Sequence, residues 1–294
     1  MNHAPLAGSS PARSAFRLGL IGQDIGPSRS PAMHRREGHD QGLAVTYDLL
    51  DLTVLGKTVA DLPALLNQLQ RDGYDGLNIT HPCKQAVIPL LEELSPEARA
   101  LGAVNTVLLH DSRRIGHNTD WYGFYESFRR RMQDVDLRHA VQLGTGGAGA
   151  AVAYALLKLG VETLILVDAD PARAQHLARQ YATLFGPDRV TTAETPDAAL
   201  RDATGLVNAT PIGMAAHPGL PLDASLLRPA LWVAEIVYFP LETELLKTAR
   251  AIGCRTCDGG GMAVFQAAEA FRLFTGITPD AERMLENFVA MAAA

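Results

Sequence analysis

The sequence predicts an α/β protein with two domains, and three observations support this prediction. The chain has 294 residues, which exceeds the size at which a single hydrophobic core usually stops growing. Short apolar runs alternate with helix-like segments along most of the chain, a pattern typical of a mostly parallel sheet covered by helices. A second series of this kind begins after residue 132 with a strand that leads into a glycine-rich turn.

The first series occupies the N-terminal part of the chain. Four apolar runs bounded by Gly, Pro or polar residues predict strands at 16–22, 46–52, 76–80 and 103–109. Helix-like segments lie between them at 31–41, 61–71 and 82–91. Pro31, Pro63 and Pro82 each stand near a predicted helix start, where the missing N–H costs least. This half is therefore predicted to be an α/β unit with a mostly parallel sheet.

The second series follows a predicted helix at 121–132 and a polar connector. Its predicted strands are AVQLG, TLILVD, GLVNATP and LWVAEIVYFP, with helices after AVQLG and at 197–201. Two closing helices are predicted at 262–275 and 279–292. No internal repeat interrupts this organisation, so the chain contains one α/β unit followed by another.

Composition excludes several classes of partner. Lys and Arg total 26 against 32 Asp and Glu, without a basic run, which argues against nucleic acid and anionic membranes and favours a small molecule. No apolar stretch reaches the roughly 20 residues that span a bilayer. Residues 1–14 are rich in Ala, Ser, Pro and Gly and lack a basic start, so a disordered leader is expected, not a signal peptide. A cytoplasmic protein is therefore expected.

The three cysteines predict neither a disulfide framework nor a metal site. Cys254 and Cys257 form a CxxC, but no second pair of Cys or His completes four ligands. The segment CRTC reads as a short strand, which favours buried thiols over a redox or zinc site.

The turn GTGGAG carries the first functional signal. Gly144, Gly146 and Gly149 have GxGxxG spacing between an apolar strand and a helix. The first glycine allows a tight turn, the second lets the backbone approach a pyrophosphate, and the third allows close packing of helix and strand. The helix N-terminus would then face the anion. The alternative is a glycine-rich connection that binds nothing.

Asp168 indicates which dinucleotide such a turn would bind. It ends the strand TLILVD nineteen positions after Gly149, where a carboxylate can accept hydrogen bonds from ribose hydroxyls. A 2′-phosphate there would face Asp168 and Asp170, so NAD is preferred over NADP. Arg173 is the nearby residue that could offset this repulsion, unless it is a solvated helix residue.

Three polar segments upstream of the turn carry the second signal. Ser28 and Ser30 in GPSRSPAMH could direct two hydroxyls at one carboxylate, or one of them could simply cap the helix that Pro31 begins. In NITHPCK and NTD, Lys84 and Asp120 would form a proton-transferring pair in which the carboxylate orients the amine. The alternatives are a surface lysine and ordinary turn-forming residues.

These segments belong to a larger set that resembles a known family. SRSPAMH, NITHPCK, GAVNT, NTD, GTGGAGA, NATPIGM, EIVYFP and GGGMAVFQA, in this order over nearly the whole chain, resemble the shikimate and quinate dehydrogenase family. The resemblance implies a substrate domain (residues 15–120 and 259–294), a Rossmann-type NAD-binding domain (residues 121–258) and a deep cleft between them. It also implies that the final helices return to the substrate domain.

The resemblance also assigns roles to individual residues. It implies Lys84 and Asp120 as the catalytic pair. Substrate contacts are implied for Ser28, Ser30 and Tyr238 at the carboxylate and for Asn78, Thr80, Asn105 and Gln266 at the ring hydroxyls. Cofactor contacts are implied for Gly144, Gly146, Gly147, Ala148, Gly149, Asp168, Arg173, Asn208, Ala209, Thr210, Gly261 and Met262.

The implied reaction is the reversible, NAD-dependent oxidation of the shikimate ring hydroxyl to 3-dehydroshikimate. Quinate or an amino analogue is the alternative substrate, because HPC before Lys84 resembles the quinate-utilising branch, whereas Ser30 stands where that branch tends to have threonine. Cys83 is expected to be a packing residue, although a thiol there could make the site sensitive to oxidation. Trp121 replaces the glycine that many members have after NTD, and it either covers the domain hinge or alters access to the site.

Other classes of function stay open from the sequence. A catalytically weak homologue could bind the cofactor or a metabolite as a regulator, although intact Lys84 and Asp120 argue against it. An amino-acid or folate dehydrogenase of the same architecture would leave the paired serines and Gln266 unexplained. The sequence does not distinguish a monomer from a homodimer, nor a role in the biosynthetic shikimate pathway for aromatic amino acids from a catabolic one.

Overall fold

Two six-stranded sheets dominate the part of the chain that the structure, a computed structural model, describes: residues 13–110 and 113–293, with side chains to residue 291. The predicted α/β fold class is confirmed. Within these ranges no helix combines the length and apolar character needed to cross a membrane. Of the expected disordered leader, residues 1–12 lie outside the described residues, whereas the carbonyl of Ser14 already accepts a hydrogen bond from Ala44.

The first sheet has the strand order β2-β1-β3-β5-β6-β4. The elements of this half are β1 (Ala15–Gly22), α1 (Ser30–Asp40), β2 (Ala44–Asp51), α2 (Leu62–Arg71), β3 (Gly76–Ile79), α3 (Cys83–Ala86), β4 (Glu93–Leu94), α4 (Pro96–Leu101), β5 (Thr106–His110) and β6 (Arg113–His117). β1 pairs in parallel with β2 and β3, as the alternation of strands and helices predicts.

The sheet is mostly parallel, as predicted, because β4 also runs parallel to β6; the exception is β5, and one predicted helix needs correction. β5 is antiparallel to both β3 and β6, so the sheet is mixed; a parallel β5–β6 pair would need a crossover of a dozen or more residues, and the two strands are adjacent in sequence. The helix expected at 82–91 is shorter. It consists of α3 and a separate 3₁₀ turn at Ile88–Leu90, because Pro89 lacks the N–H that a continuous helix requires.

The second sheet is entirely parallel, with the order β12-β11-β10-β7-β8-β9. α5 (Asp120–Arg131) leads from the first half into this one, which contains β7 (His139–Leu143), α6 (Gly147–Leu159), β8 (Thr163–Val167), α7 (Pro171–Phe185), β9 (Val190–Thr192), α8 (Pro196–Leu200), β10 (Gly205–Asn208), β11 (Trp232–Glu235), α9 (Glu244–Ile252) and β12 (Arg255–Cys257). The chain runs outward from β7 in both directions, so the strand order switches between β7 and β10. Such a switch point leaves a crevice at the carboxyl ends of the strands.

The last two helices, α10 (Gly260–Thr275) and α11 (Ala281–Ala293), pack back onto the first half. α10 contacts α1 and α5, and α11 contacts α1 and α10. Gly261 is required for the close approach of α10 to α5, because a Cβ there would lie 2.1 Å from Oγ of Ser127. Arg283 of α11 pairs with the buried Glu37 of α1 at 2.8 Å.

Candidate active site

Lys84 and Asp120 meet at the junction of the two halves. Lys84 lies in α3 and Asp120 is the first residue of α5, and Nζ donates to Oδ2 at 2.6 Å. The N-terminus of a helix favours a carboxylate because its free N–H groups carry partial positive charge. Oδ1 of Asn118 also accepts from the backbone N–H of Asp120 at 3.0 Å. The side chains of the pair are 24% and 12% exposed, so a ligand can reach them.

Asn105 fixes the orientation of this pair. Its Nδ2 donates to Oδ1 of Asp120 at 2.8 Å and to Oγ1 of Thr119 at 3.0 Å, and its Oδ1 accepts from the backbone N–H of Thr119 at 2.7 Å. Gln266 of α10 comes to the same cluster, with Oε1 3.5 Å from both Nδ2 of Asn105 and Oγ1 of Thr119. The closing helix therefore contributes a side chain next to the candidate catalytic pair.

Asn78 lies under this cluster and is committed to internal hydrogen bonds. Its Nδ2 donates to the carbonyl of Asn105 and to Oγ1 of Thr106, both at 3.2 Å. Its Oδ1 accepts from the hydroxyl of the fully buried Tyr47 at 2.8 Å. Both amide donors of Asn78 are thus in use, and the residue supports Asn105. Its predicted contact with a substrate would need the free lone pair on Oδ1.

Ser30 is the first residue of α1, and the cap position is held by Arg29 without a side-chain capping bond. Neither serine is at the cap position itself, but Oγ of Ser28 accepts from the backbone N–H of Ser30, the first residue of the helix, at 3.3 Å. Ser28 thus supports the helix start in part, as the capping alternative expects. Nδ1 of His34 lies 2.9 Å from the carbonyl of Ser30 and must donate, since a carbonyl only accepts. Burial lowers the pKa of His34 to about 4, so its ring is neutral at physiological pH.

Two further candidates lie at the edges of this cluster. Thr80 follows β3 directly and is half-buried, and its methyl packs where a Cβ on Gly22 would lie. Tyr238 follows β11 and is 46% exposed, with its ring 6.1 Å from that of Phe288. Neither side chain is hydrogen-bonded to the Lys84 cluster within the described residues.

The glycine-rich turn connects β7 to α6 at the switch point of the second sheet. Gly144 has φ +90°, and a Cβ there would lie 2.7 Å from the carbonyl oxygen of Ala209; a Cβ on Gly149 would lie 2.4 Å from the carbonyl oxygen of Gly144. Nε2 of the fully buried Gln142 donates to the carbonyls of Gly144 and Gly149, both at 2.8 Å. The turn is tight because side chains are excluded at two positions and one amide ties its ends.

Gly146, Gly147 and Ala148 form the open side of this turn. α6 begins at Gly147, and a Cβ on Gly146 or Gly147 would meet no atom within 4 Å. Free backbone N–H groups at a helix N-terminus, with space in front of them, suit an anion such as a pyrophosphate. The residues present therefore fit a dinucleotide.

Asp168 follows β8 beside the turn. Its Oδ2 accepts from the backbone N–H and the hydroxyl of Thr145, both at 2.7 Å, and its Oδ1 accepts from the backbone N–H of Asp170 at 2.9 Å. Burial alone would raise the pKa of Asp168, but these hydrogen bonds hold it below its usual value. Arg173 lies 3.9 Å from Asp168 and 4.0 Å from Asp170. The carboxylate is an anion that already supports the turn, and one acceptor position remains free.

Asn208 and Thr210 lie across the crevice, at the end of β10. Nδ2 of Asn208 donates to Glu235 at 3.0 Å, and its Oδ1 accepts from the hydroxyl of Thr210 at 2.7 Å. Glu235 also accepts from the backbone N–H of Val237 and the hydroxyl of Thr243. Burial raises the pKa of Glu235 to about 7, against the opposing effect of these donors. The side chain of Asn208 is thus turned into the protein, where it shapes the loop beside Gly144.

The start of α10 borders the same crevice. Gly261 and Met262 are buried against α5, and a Cβ on Gly123 would lie 2.4 Å from the carbonyl oxygen of Met262. Both residues have a packing role in the structure. Their place beside a nicotinamide stays a prediction.

The remaining residues flagged in the sequence have packing roles. Trp121 packs edge-on against Tyr154 of α6 at 5.5 Å and Tyr125 at 5.9 Å, so it covers the contact between α5 and α6.

Cys83 is buried in the core of the first half, and burial raises its pKa. The thiols of Cys254 and Cys257 are buried, as expected from the sequence. Among the described residues, no three His, Cys, Asp or Glu side chains are grouped so that they could hold a metal ion.

Sequence reasoning missed several residues that build the site. These are Tyr47, Thr106, Thr119, Gln142 and Glu235. Gln142 and Glu235 left a signal, because each is a polar residue in an otherwise apolar strand, and burying such a group is costly unless it has partners. Tyr47 and Thr106 left none, since both residue types are common in strands.

An open helix N-terminus at the switch point of the second sheet and a Lys84–Asp120 pair at the junction of the two halves are the parts that a dinucleotide-dependent oxidoreductase needs. Comparison with known proteins supports this class of enzyme. Residues 20–107 match the shikimate dehydrogenase substrate binding domain, and residues 259–286 match the shikimate 5′-dehydrogenase C-terminal domain.

Full-length relatives extend the match. A shikimate dehydrogenase (NADP(+)) of Streptomyces avermitilis is 56% identical over 282 residues, which cover 95% of this chain and 97% of that protein. A quinate/shikimate dehydrogenase (NAD(+)) of Corynebacterium efficiens is 50% identical over 93% of this chain and 98% of its own. The structure of quinate dehydrogenase from Corynebacterium glutamicum in complex with NAD has a TM-score of 0.89 and 47% identity, covering 94% and 99%.

The chain belongs to the shikimate dehydrogenase family. The expected activity class, a shikimate/quinate dehydrogenase that uses a nicotinamide dinucleotide, is confirmed at this level. The relatives carry both NAD and NADP in their names, so the choice of cofactor must be argued from this chain's own residues.

Proposed function

We propose that this protein reversibly oxidises the ring hydroxyl of shikimate to 3-dehydroshikimate with NAD. The observation that carries the proposal is the 2.6 Å contact between Lys84 and Asp120, which Asn105 holds through its bond to Asp120. In this proposal residues 15–120 and 259–294 bind the substrate, and residues 121–258 bind the dinucleotide.

The proton chemistry falls to the Lys84–Asp120 pair. NAD, when bound, supplies the hydride acceptor. In the oxidative direction Lys84 takes the proton of the reacting hydroxyl, and in the reductive direction it returns that proton to the ketone oxygen. Asp120 orients the amine and stabilises its ammonium form, while Asn105 keeps Asp120 from rotating.

Substrate orientation is assigned to the residues around this pair. Ser28, Ser30 and Tyr238 bind the carboxylate, and Thr80, Asn105 and Gln266 bind the other ring hydroxyls. Oε1 of Gln266 accepts only long hydrogen bonds of 3.5 Å from Asn105 and Thr119, and Nε2 donates to the carbonyl of Ala263 at 3.2 Å, so a ligand hydroxyl would share or replace these bonds. Quinate is the second candidate, because relatives of about 50% identity carry quinate in their names.

The preference for NAD follows from charge. A 2′-phosphate next to Asp168 would meet two carboxylates, and each pair of unit charges 4 Å apart repels by about 4 kcal/mol at an effective dielectric constant of 20. Arg173 is the single cation beside them in the described structure, and it already pairs with both. A ribose hydroxyl, in contrast, can donate to the free acceptor position of Asp168.

Initial rates of the purified protein with shikimate and quinate, each with NAD and NADP, test the proposal. We expect the highest kcat/KM for shikimate with NAD. Asp168→Asn should raise the NADP to NAD ratio of kcat/KM roughly tenfold, equivalent to about 1.4 kcal/mol, whereas Asp170→Asn, the control at a more exposed carboxylate, should change it less.

Each part of the proposal can fail separately. A higher kcat/KM for NADP would overturn the cofactor choice, and a higher one for quinate the substrate choice. Absence of turnover with both acids and both cofactors would favour a metabolite-binding regulator. A lower melting temperature for Asp168→Asn with an unchanged cofactor ratio would reduce Asp168 to a support for Thr145.

A further inference from the structure

Arg29 is a cation that has no anionic partner among the residues that the structure describes. It stands between Ser28 and Ser30 and is half-buried. Its Nη1 is buried and has no hydrogen-bond partner among the described residues. Burying part of a guanidinium without an acceptor is unfavourable, so the position calls for a ligand that the protein itself does not supply.

Aromatic rings hold the guanidinium in place. It lies 5.7 Å from the ring centroid of Phe288 in α11 and 6.0 Å from that of Phe239, which follows β11. Such contacts offset part of the cost of removing a cation from water. Tyr238, the candidate carboxylate contact of the second half, packs on the same Phe288 ring at 6.1 Å. Arg29 and Tyr238 therefore both contact the ring of Phe288.

Each neighbouring cation already has a partner within the protein. Lys84 pairs with Asp120, and Arg283 pairs with Glu37 at 2.8 Å. Arg35, further along α1, donates to the backbone carbonyl of Tyr47. Among the described cations around α1, Arg29 is thus the one left with a buried guanidinium nitrogen that has neither a hydrogen-bond acceptor nor an ion-pair partner in the protein, and a substrate carboxylate could supply that acceptor.

We propose that Arg29 recognises the substrate by its negative charge, adding an ion pair to the hydrogen bonds of Ser28, Ser30 and Tyr238. This inference rests on the proposed function and deepens it. The serine hydroxyls bond to a carboxylate and an ester alike, since both carry acceptor oxygens. Arg29 is what makes the site select a ring acid over its uncharged derivatives.

Steady-state kinetics with shikimate and its uncharged methyl ester test this role. Arg29→Met should raise KM for shikimate roughly tenfold, equivalent to about 1.4 kcal/mol, and leave KM for the ester and for NAD within about twofold. Arg29→Lys should recover much of the loss because it keeps the charge. Arg36→Met is the matched control, since Arg36 lies on the same helix and pairs with Asp40 at the surface.

The outcomes separate the possibilities. Equal rises in KM for acid and ester would mean that Arg29 only joins the two halves through Phe239, and would overturn the proposal. An unchanged KM for shikimate in Arg29→Met would do the same. If the wild-type enzyme turned over neither shikimate nor quinate, the proposed function would fail first and this role with it.

Discussion

The polar side chains around Lys84 bond mainly to one another, whereas those around the glycine-rich turn of the second half bond mainly to its backbone. Lys84, Asp120 and Asn105 form a side-chain cluster with two partly exposed members. Gln142 and Asp168, in contrast, donate to or accept from the main chain of the glycine-rich turn. One half presents functional groups, and the other presents a shaped backbone.

The difference shows which substitutions each half tolerates. A cluster of side chains loses its chemistry when one functional group is removed, while its fold stays supported by the surrounding core. A site made of backbone loses its shape when a single Cβ is added, as the 2.4 Å approach of Gly149 to the carbonyl oxygen of Gly144 indicates. Substitutions in the Lys84 cluster should therefore lower catalytic rates, whereas substitutions in the glycine-rich turn should lower stability or cofactor binding.

The largest effect is expected for Lys84→Met. This substitution removes the amine that exchanges a proton with the substrate, so kcat should fall by about 10²–10⁴-fold. The dissociation constant of NAD, measured by titration calorimetry, should not change. Lys247→Met on the exposed face of α9 is the control, and it should keep wild-type activity. A kcat within threefold of wild type for Lys84→Met would remove the first half from the chemistry.

Two glycine substitutions sharpen the same comparison in the second half. Gly149→Ala should lower the free energy of unfolding by about 1–3 kcal/mol, because its Cβ collides with a backbone carbonyl. Gly146→Ala should leave stability unchanged, since its Cβ enters open space at φ −67°. It should instead raise KM for the dinucleotide roughly tenfold, or about 1.4 kcal/mol, because the pyrophosphate needs that space.

Urea unfolding and initial rates on both variants check this contrast. If Gly146→Ala bound the dinucleotide as tightly as wild type, the open face of the turn would not be the pyrophosphate site. If Gly149→Ala were as stable as wild type, the turn would be able to relax, and its tight geometry would not depend on the missing Cβ.

The buried Glu235 should make the stability of the second half depend on pH. Burial raises its folded-state pKa to about 7 from an ordinary 4.5, so the folded protein holds a proton that the unfolded chain has lost. Its contribution to stability is complete below about pH 4.5 and is lost as pH rises through 7. Between pH 5 and 7.5, the unfolding free energy of wild type should fall relative to that of Glu235→Gln by on the order of 2 kcal/mol.

The difference in unfolding free energy between wild type and Glu235→Gln reports on Glu235 alone, because the other titrating groups are the same in both. The pKa of His34 is lowered to about 4, so His34 contributes stability above about pH 6.5 that is lost as the pH falls toward 4. This contribution is the same in wild type and in Glu235→Gln. Parallel pH profiles of wild type and Glu235→Gln would mean that the donors from Asn208, Val237 and Thr243 keep the carboxylate ionised throughout.

Much of the fold could be predicted from local patterns. Alternating apolar runs and helix signals located the strands around β1, β3 and β7, since each needs only its own residues to show the pattern. The antiparallel direction of β5 could not be predicted in this way, because the direction of strand pairing depends on neighbours in space. The short length of α3 could not be predicted either, because a single residue, Pro89, interrupts an otherwise helical pattern.

The sequence by itself determined the residue types of the site and their order: a lysine and an aspartate upstream of a GxGxxG turn, with an acidic residue after the next strand. Only the tertiary structure decided which of them touch. Lys84 and Asp120 are separated by 36 in sequence number, and Asn105 and Gln266 by 161; strand pairing and the return of α10 bring them together. Periodicity acts over a few residues, so it carries no information about such contacts, nor about the unpaired charge of Arg29.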